Sequence, residues 1–126
     1  MTQPSTRRQF LQTSSLATLG TAATLALAPR VHAAGSEILK VGLIGCGSVS
    51  NVYLPNLSRA RHVELVSVCD IIPARAQRQA ERFQIANHYP HISKMLAGAA
   101  FDLLVNTTDM QEHGRLNRQA IEAGKH

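Results

Sequence analysis

A chain of 126 residues holds one small domain and excludes the pair of domains that cofactor enzymes of moderate size use. Hydrophobic residues make up 44% and charged residues 17%, with three Phe, two Tyr and no Trp, so the balance is globular and any core is aliphatic. The net charge of +5 suggests nucleic acid only until the charges are placed. Arg7, Arg8 and Arg30 lie in the first 33 positions, which contain no acid, leaving ten basic residues against eight acidic ones in the rest. Those ten form no clustered patch, and nucleic-acid binding is excluded.

The first element is residues 1–33. Thr6-Arg7-Arg8-Gln9-Phe10-Leu11-Gln12 is followed by a mild apolar run, Leu16 to Ala28, and then by Arg30 and Val31-His32-Ala33-Ala34. A basic start, an apolar middle and a small-residue cleavage site make an address rather than a folded element. The apolar run is shorter than the roughly 18 residues a membrane-spanning helix needs, so no stable membrane anchor is read. The segment resembles a twin-arginine export signal, with Gln12 where that pattern has Lys; an ordinary secretory signal is the alternative. Cleavage is expected near Ala33/Ala34. The resemblance implies a periplasmic or otherwise exported protein, the export machinery as a partner, and folding around a cofactor before export.

Strand signals follow. Ile38 to Ile44, Val63 to Cys69 and Phe101 to Val105 are near-continuous apolar runs, the pattern of parallel strands covered on both faces. Helical signals separate them: a stretch from about Ser50 to Ala60, then Pro73 to Phe83 with Pro at the first helical position, and Glu112 to Ala123 closed by Gly124. A weak strand at Ile85 to Tyr89 and a short helix at Ser93 to Ala97 fill the gap. Pro55 predicts an interruption: either Ser48 to Tyr53 is a separate turn or Pro55 opens the longer helix. The alternation predicts an α/β fold, a partial Rossmann-type doubly wound parallel sheet, over residues 36–126.

The first strand ends in Gly45-Cys46-Gly47-Ser48-Val49-Ser50, and Asp70 closes the second. Strand, glycine turn, helix and terminal acid in this order have the spacing of a dinucleotide site. Gly45 permits the tight turn, Gly47 lets a diphosphate approach the backbone, and Ser48, Val49 and Ser50 start the helix whose N–H groups meet the anion. Ser50 is small enough for the third glycine position. Asp70 can accept both hydroxyls of an adenosine ribose and would repel a 2′-phosphate, which favours NAD over NADP; Arg75 is the nearby cation that could reverse this. A nucleotide-free glycine turn is the alternative. Methyl transfer from S-adenosylmethionine is a weaker one, because the acid expected three positions before the first loop glycine is here Gly42.

From Leu39 to His126 the chain resembles the amino-terminal domain of the Gfo/Idh/MocA family. The matching pieces are Val41 to Gly47, Glu64 to Asp70, Ala74-Arg75-Ala76, Phe101 to Val105, Thr107-Thr108 through His113, and Ala120 to His126. The resemblance implies NAD(P)-dependent hydride transfer on a sugar or polyol by the parent protein, with Thr107 and Thr108 at the nicotinamide end of the groove. Asp109 and Met110 stand where the family has Pro and Asn. His113 is read as fixing that loop rather than as a catalytic acid. The resemblance also implies that a Glu-Lys-Pro segment and a substrate domain are missing. On that reading the chain is a truncated fragment, alone inactive and without a catalytic residue, with an exposed parallel sheet edge. An NAD-dependent glycoside hydrolase of the same family and a non-catalytic nucleotide-binding fragment are the alternatives, and homo-oligomerisation stays open. No metal site is read among the six His, and Cys46 and Cys69 are expected as buried free thiols.

Overall fold

The computed structural model describes residues 38–126. The arginine pair, the apolar run and the cleavage region near Ala33/Ala34 lie outside the described residues. Four strands alternate with four helices: β1 (Leu39–Ile44), α1 (Ser50–Arg59), β2 (Val63–Cys69), α2 (Pro73–Phe83), β3 (Asn87–Tyr89), α3 (Ile92–Ala97), β4 (Leu103–Asn106) and α4 (Met110–Glu122). The sheet order is β3-β2-β1-β4 and every pairing is parallel. β1 is central, which matches its buried second half. Chain direction leaves β1 toward β2 on one side and β4 on the other, so a crevice opens at the carboxyl ends of the strands where that order reverses.

Side chains alternate across the sheet and split the core into two layers. Leu43 and Val68 point to one face, where Leu54 of α1 and Ala76 and Ala80 of α2 cover them. Ile44 and Cys69 point to the other, against Ile92 and Met95 of α3, Leu116 of α4, and Phe101 just before β4. Gly42 lies under the second layer: a Cβ there would meet Met95 Cε at 2.4 Å and Phe101 at 3.3 Å. A side chain there would displace the end of Met95 and press on the Phe101 ring, so glycine at this position suits the packing of the second layer.

Pro55 corrects the expected interruption. Helix α1 runs from Ser50 to Arg59 with Pro55 inside it. The missing N–H leaves one helical bond unmade, but the helix is anchored by the fully buried Leu54. Polar side chains also brace the turn: Asn56 Nδ2 donates to the Val52 carbonyl at 2.9 Å, and Ser58 Oγ to the Pro55 carbonyl at 3.0 Å. Tertiary burial, which supplies most helix stability in proteins, outweighs the local penalty.

Smaller shifts have local causes. α4 begins at Met110 rather than Glu112, with extended Asp109 before it and Glu112 in its first turn, where an acid complements the helix dipole. β4 begins at Leu103, because Phe101 turns into the core and Asp102 accepts the Lys40 N–H at 3.1 Å. The outer edge of β4 is partly paired: His126 N–H donates to the Asp102 carbonyl and the Leu104 N–H donates to the His126 carbonyl, at 2.9 and 2.7 Å.

Candidate dinucleotide-binding site

The turn after β1 is shaped by contacts that only glycine tolerates. Gly45 has φ +96°, and a Cβ there would lie 2.6 Å from Thr107 C and Thr108 N. Its N–H donates to the Cys69 carbonyl at 2.8 Å, carrying the ladder one step past the strand. Gly47 differs. Its φ is not in the left-handed region, and a Cβ on it would meet nothing within 4 Å. Nothing inside the chain requires glycine there; the open space lies on the groove side.

Asp70 sits against this turn. It is 7% exposed, and its Oδ2 accepts the Cys46 N–H at 2.8 Å while Oδ1 accepts the Ile72 N–H at 2.7 Å. Each carboxylate oxygen keeps a further lone-pair direction, so the group can tie the turn to the end of β2 and still accept from a ligand. The glycine turn and the strand-end acid are thus in direct contact, through the backbone of Cys46, 24 residues before Asp70. Next to it, Cys46 and Cys69 are buried free thiols. Burial first, and then the Asp70 carboxylate, push both up to about 12 from an ordinary 9.0, with the Cys69 thiol adding to the effect on Cys46. At neutral pH these are inert thiols rather than nucleophiles.

The turn after β4 forms the opposite wall. Thr107 Oγ1 donates within reach of the Gly45 carbonyl at 2.6 Å and the Ile44 carbonyl at 3.1 Å. Thr108 Oγ1 donates to Asn106 Oδ1 at 2.6 Å, and its carbonyl lies 2.9 Å from His113 Nε2. A carbonyl only accepts, so His113 carries its proton on Nε2 in this contact and fixes the loop.

Between these walls runs a groove of about 1130 Å³. Gly45, Gly47, Ser48, Val49, Asp70, Arg75, Thr107 and Thr108 all line it; Ser50 does not. Ser50 is fully buried behind the turn, with its Oγ donating to the Gly47 carbonyl at 2.6 Å. Among the described residues, no acceptor meets the N–H groups of Gly47, Ser48 or Val49. The wall also holds residues that the motif did not single out: Asn51, Arg78, Gln79 and Arg82. Arg75, Arg78 and Arg82 share one face of α2 by their three- and four-residue spacing, a signal present in the sequence. Gln79 stands between the buried Ala76 and Ala80, a polar residue on an apolar face.

Comparisons with known proteins bear on the family and the fold. The profile of the Gfo/Idh/MocA family, described as an oxidoreductase family with an NAD-binding Rossmann fold, matches residues 39–126. Inositol 2-dehydrogenase/D-chiro-inositol 3-dehydrogenase of Lactiplantibacillus plantarum is 27% identical over 94 residues, covering 73% of this chain and 27% of its own length. The crystal structure of the WlbA dehydrogenase from Bordetella pertussis in complex with NADH and UDP-GlcNAcA superposes with a TM-score of 0.66 at 28% identity, over 70% of this chain and 27% of that one. Scyllo-inositol dehydrogenase from Lactobacillus casei, with bound NAD(H) and scyllo-inositol, shares the fold at a TM-score of 0.67 and 20% identity, over 71% of this chain and 27% of that one. The chain therefore spans 27% of the length of each of these relatives.

Proposed function

The chain belongs to the Gfo/Idh/MocA oxidoreductase family and carries its NAD-binding Rossmann fold over residues 39–126; on that premise we propose that it is the cofactor-holding part of an exported, NAD-dependent oxidoreductase acting on a sugar or polyol. The observation that carries the reading is the Asp70 carboxylate, 2.8 Å from the Cys46 N–H of a turn whose own Gly47 faces open space. The free N–H groups of Gly47, Ser48 and Val49 would receive the diphosphate at the start of α1. Asp70 would accept the adenosine ribose hydroxyls, and its charge would oppose a 2′-phosphate. Thr107 and Thr108 would border the nicotinamide end. Bound there, NAD supplies a hydride acceptor at nicotinamide C4. The acid/base group that handles the substrate proton is not among these residues, and the chain by itself is expected to bind cofactor without turnover. The relatives named for inositol dehydrogenation support a polyol, and the Arg7-Arg8 segment supports twin-arginine export.

Calorimetric titration of the full chain with NAD and with NADP tests the assignment. NAD should bind more tightly, and Asp70→Asn should narrow the ratio by about tenfold, the cost of one charge opposed in the site. Equal affinities in the unmodified chain, or an unchanged ratio in the variant, would reject Asp70 as the ribose and specificity residue.

A further inference from the structure

We propose that Gln79 is a positioning residue for the diphosphate-binding turn, acting through the hydroxyl of Ser50; the inference rests on the cofactor site proposed above. Gln79 is 6% exposed. Its Nε2 lies 2.9 Å from Asn51 Oδ1 and 3.3 Å from Ser50 Oγ, while its Oε1 is buried with no hydrogen-bond partner among the described residues.

The direction of this network follows from donor chemistry. Arg82 can only donate, and its NH1 lies 3.2 Å from Asn51 Oδ1, so Asn51 presents its oxygen. Gln79 must then turn its amide nitrogen toward Asn51, which leaves Oε1 on the side without a donor. The same nitrogen donates to Ser50 Oγ. The Ser50 hydrogen is thereby directed to its remaining neighbour, the Gly47 carbonyl, at 2.6 Å.

That last bond sets the turn. The peptide joining Gly47 and Ser48 is trans, as are the others among the described residues, so its carbonyl and its N–H point in opposite directions. Holding the carbonyl toward the fully buried Ser50 aims the Ser48 N–H outward, into the groove. A relay from α2 thus orients a donor at the place where the anion would sit. An unpaired buried acceptor is costly, and here that cost accompanies an orientation that serves the turn rather than the core.

Stability and function should therefore part company in Gln79→Met, which keeps the volume and removes the unpaired oxygen. The full-length variant should melt at an unchanged or higher temperature, yet bind NAD about tenfold more weakly, the worth of one oriented hydrogen bond. Adenosine, which lacks the diphosphate, should bind both forms equally by NMR titration. Ser50→Ala should show the same loss for NAD with none for adenosine, and Gln79→Met added to Ser50→Ala should cost no further NAD affinity. Ser50→Ala carries the test alone if Gln79→Met fails to fold. Unchanged NAD affinity, equal loss for adenosine, or additive losses in the double variant would overturn the relay. Failure of the unmodified chain to bind NAD would instead reject the cofactor site on which it rests.

Discussion

The turns after β1 and β4 touch, since any side chain at Gly45 would strike Thr107 and Thr108, yet they use their hydrogen-bonding groups differently. The β4 turn is closed largely by its own side chains: the Thr108 hydroxyl, Asn106 and the His113 ring satisfy groups within it, while the Thr107 hydroxyl reaches across to the Ile44 and Gly45 carbonyls. The β1 turn has almost no side chains to use. It is held from outside by the Asp70 carboxylate and the Thr107 hydroxyl and from the start of α1 by the Ser50 hydroxyl, and the N–H groups of Gly47, Ser48 and Val49 stay open to the groove. A closed turn makes a wall and an open turn makes an anion cradle. The difference comes from where each turn finds its hydrogen-bond partners.

Variants can break that contrast in order of expected severity. Gly45→Ala forces a side chain into left-handed backbone and against the β4 turn, and should cost about 2–5 kcal/mol, read by denaturant unfolding. Asp70→Ala leaves the Cys46 and Ile72 N–H groups without their acceptor, and should cost about 2–4 kcal/mol while also lowering NAD affinity in titration. Gly47→Ala is the sharpest contrast with Gly45→Ala. Its Cβ meets nothing in the chain, so unfolding should shift by less than about 0.5 kcal/mol, whereas NAD affinity should drop by about tenfold if the diphosphate approaches that face.

The smallest effect at neutral pH concerns the thiols under the cradle. Because Cys46 and Cys69 are raised from 9.0 to about 12 in the folded chain, the folded state holds protons that the unfolded state releases. Their contribution to stability is present below pH 9 and is lost as pH rises from 9 through 12. Alkylation at pH 8 should be slowed on the order of 10³-fold relative to the unfolded chain, measured by mass spectrometry in native buffer and in denaturant. Fast native alkylation would show that the cradle opens.

Much of the fold could be read from local pattern. The apolar runs at β1 and β2, Pro73 opening α2 and Gly124 beyond α4 each act within a few residues. Their physical signals (strand periodicity, a missing N–H, a left-handed φ of +75° at Gly124) do not depend on distant partners. The β1 turn was likewise legible, with Gly45, Gly47 and Asp70 found from spacing and all three on the groove. Pro55 was misleading because its penalty is local, while the burial of Leu54 that outweighs it is not.

The amino-acid order thus determined an α/β chain with a glycine turn and an acid at two strand ends, because backbone sterics and side-chain period operate between near neighbours. Only the tertiary structure decided that Asp70 would grip Cys46, that Ser50 would sit behind the turn instead of in the groove, and that Gln79 would be buried beside it. Those contacts join residues that parallel register and helix packing bring together across 24 to 29 positions, and no local signal carries that geometry.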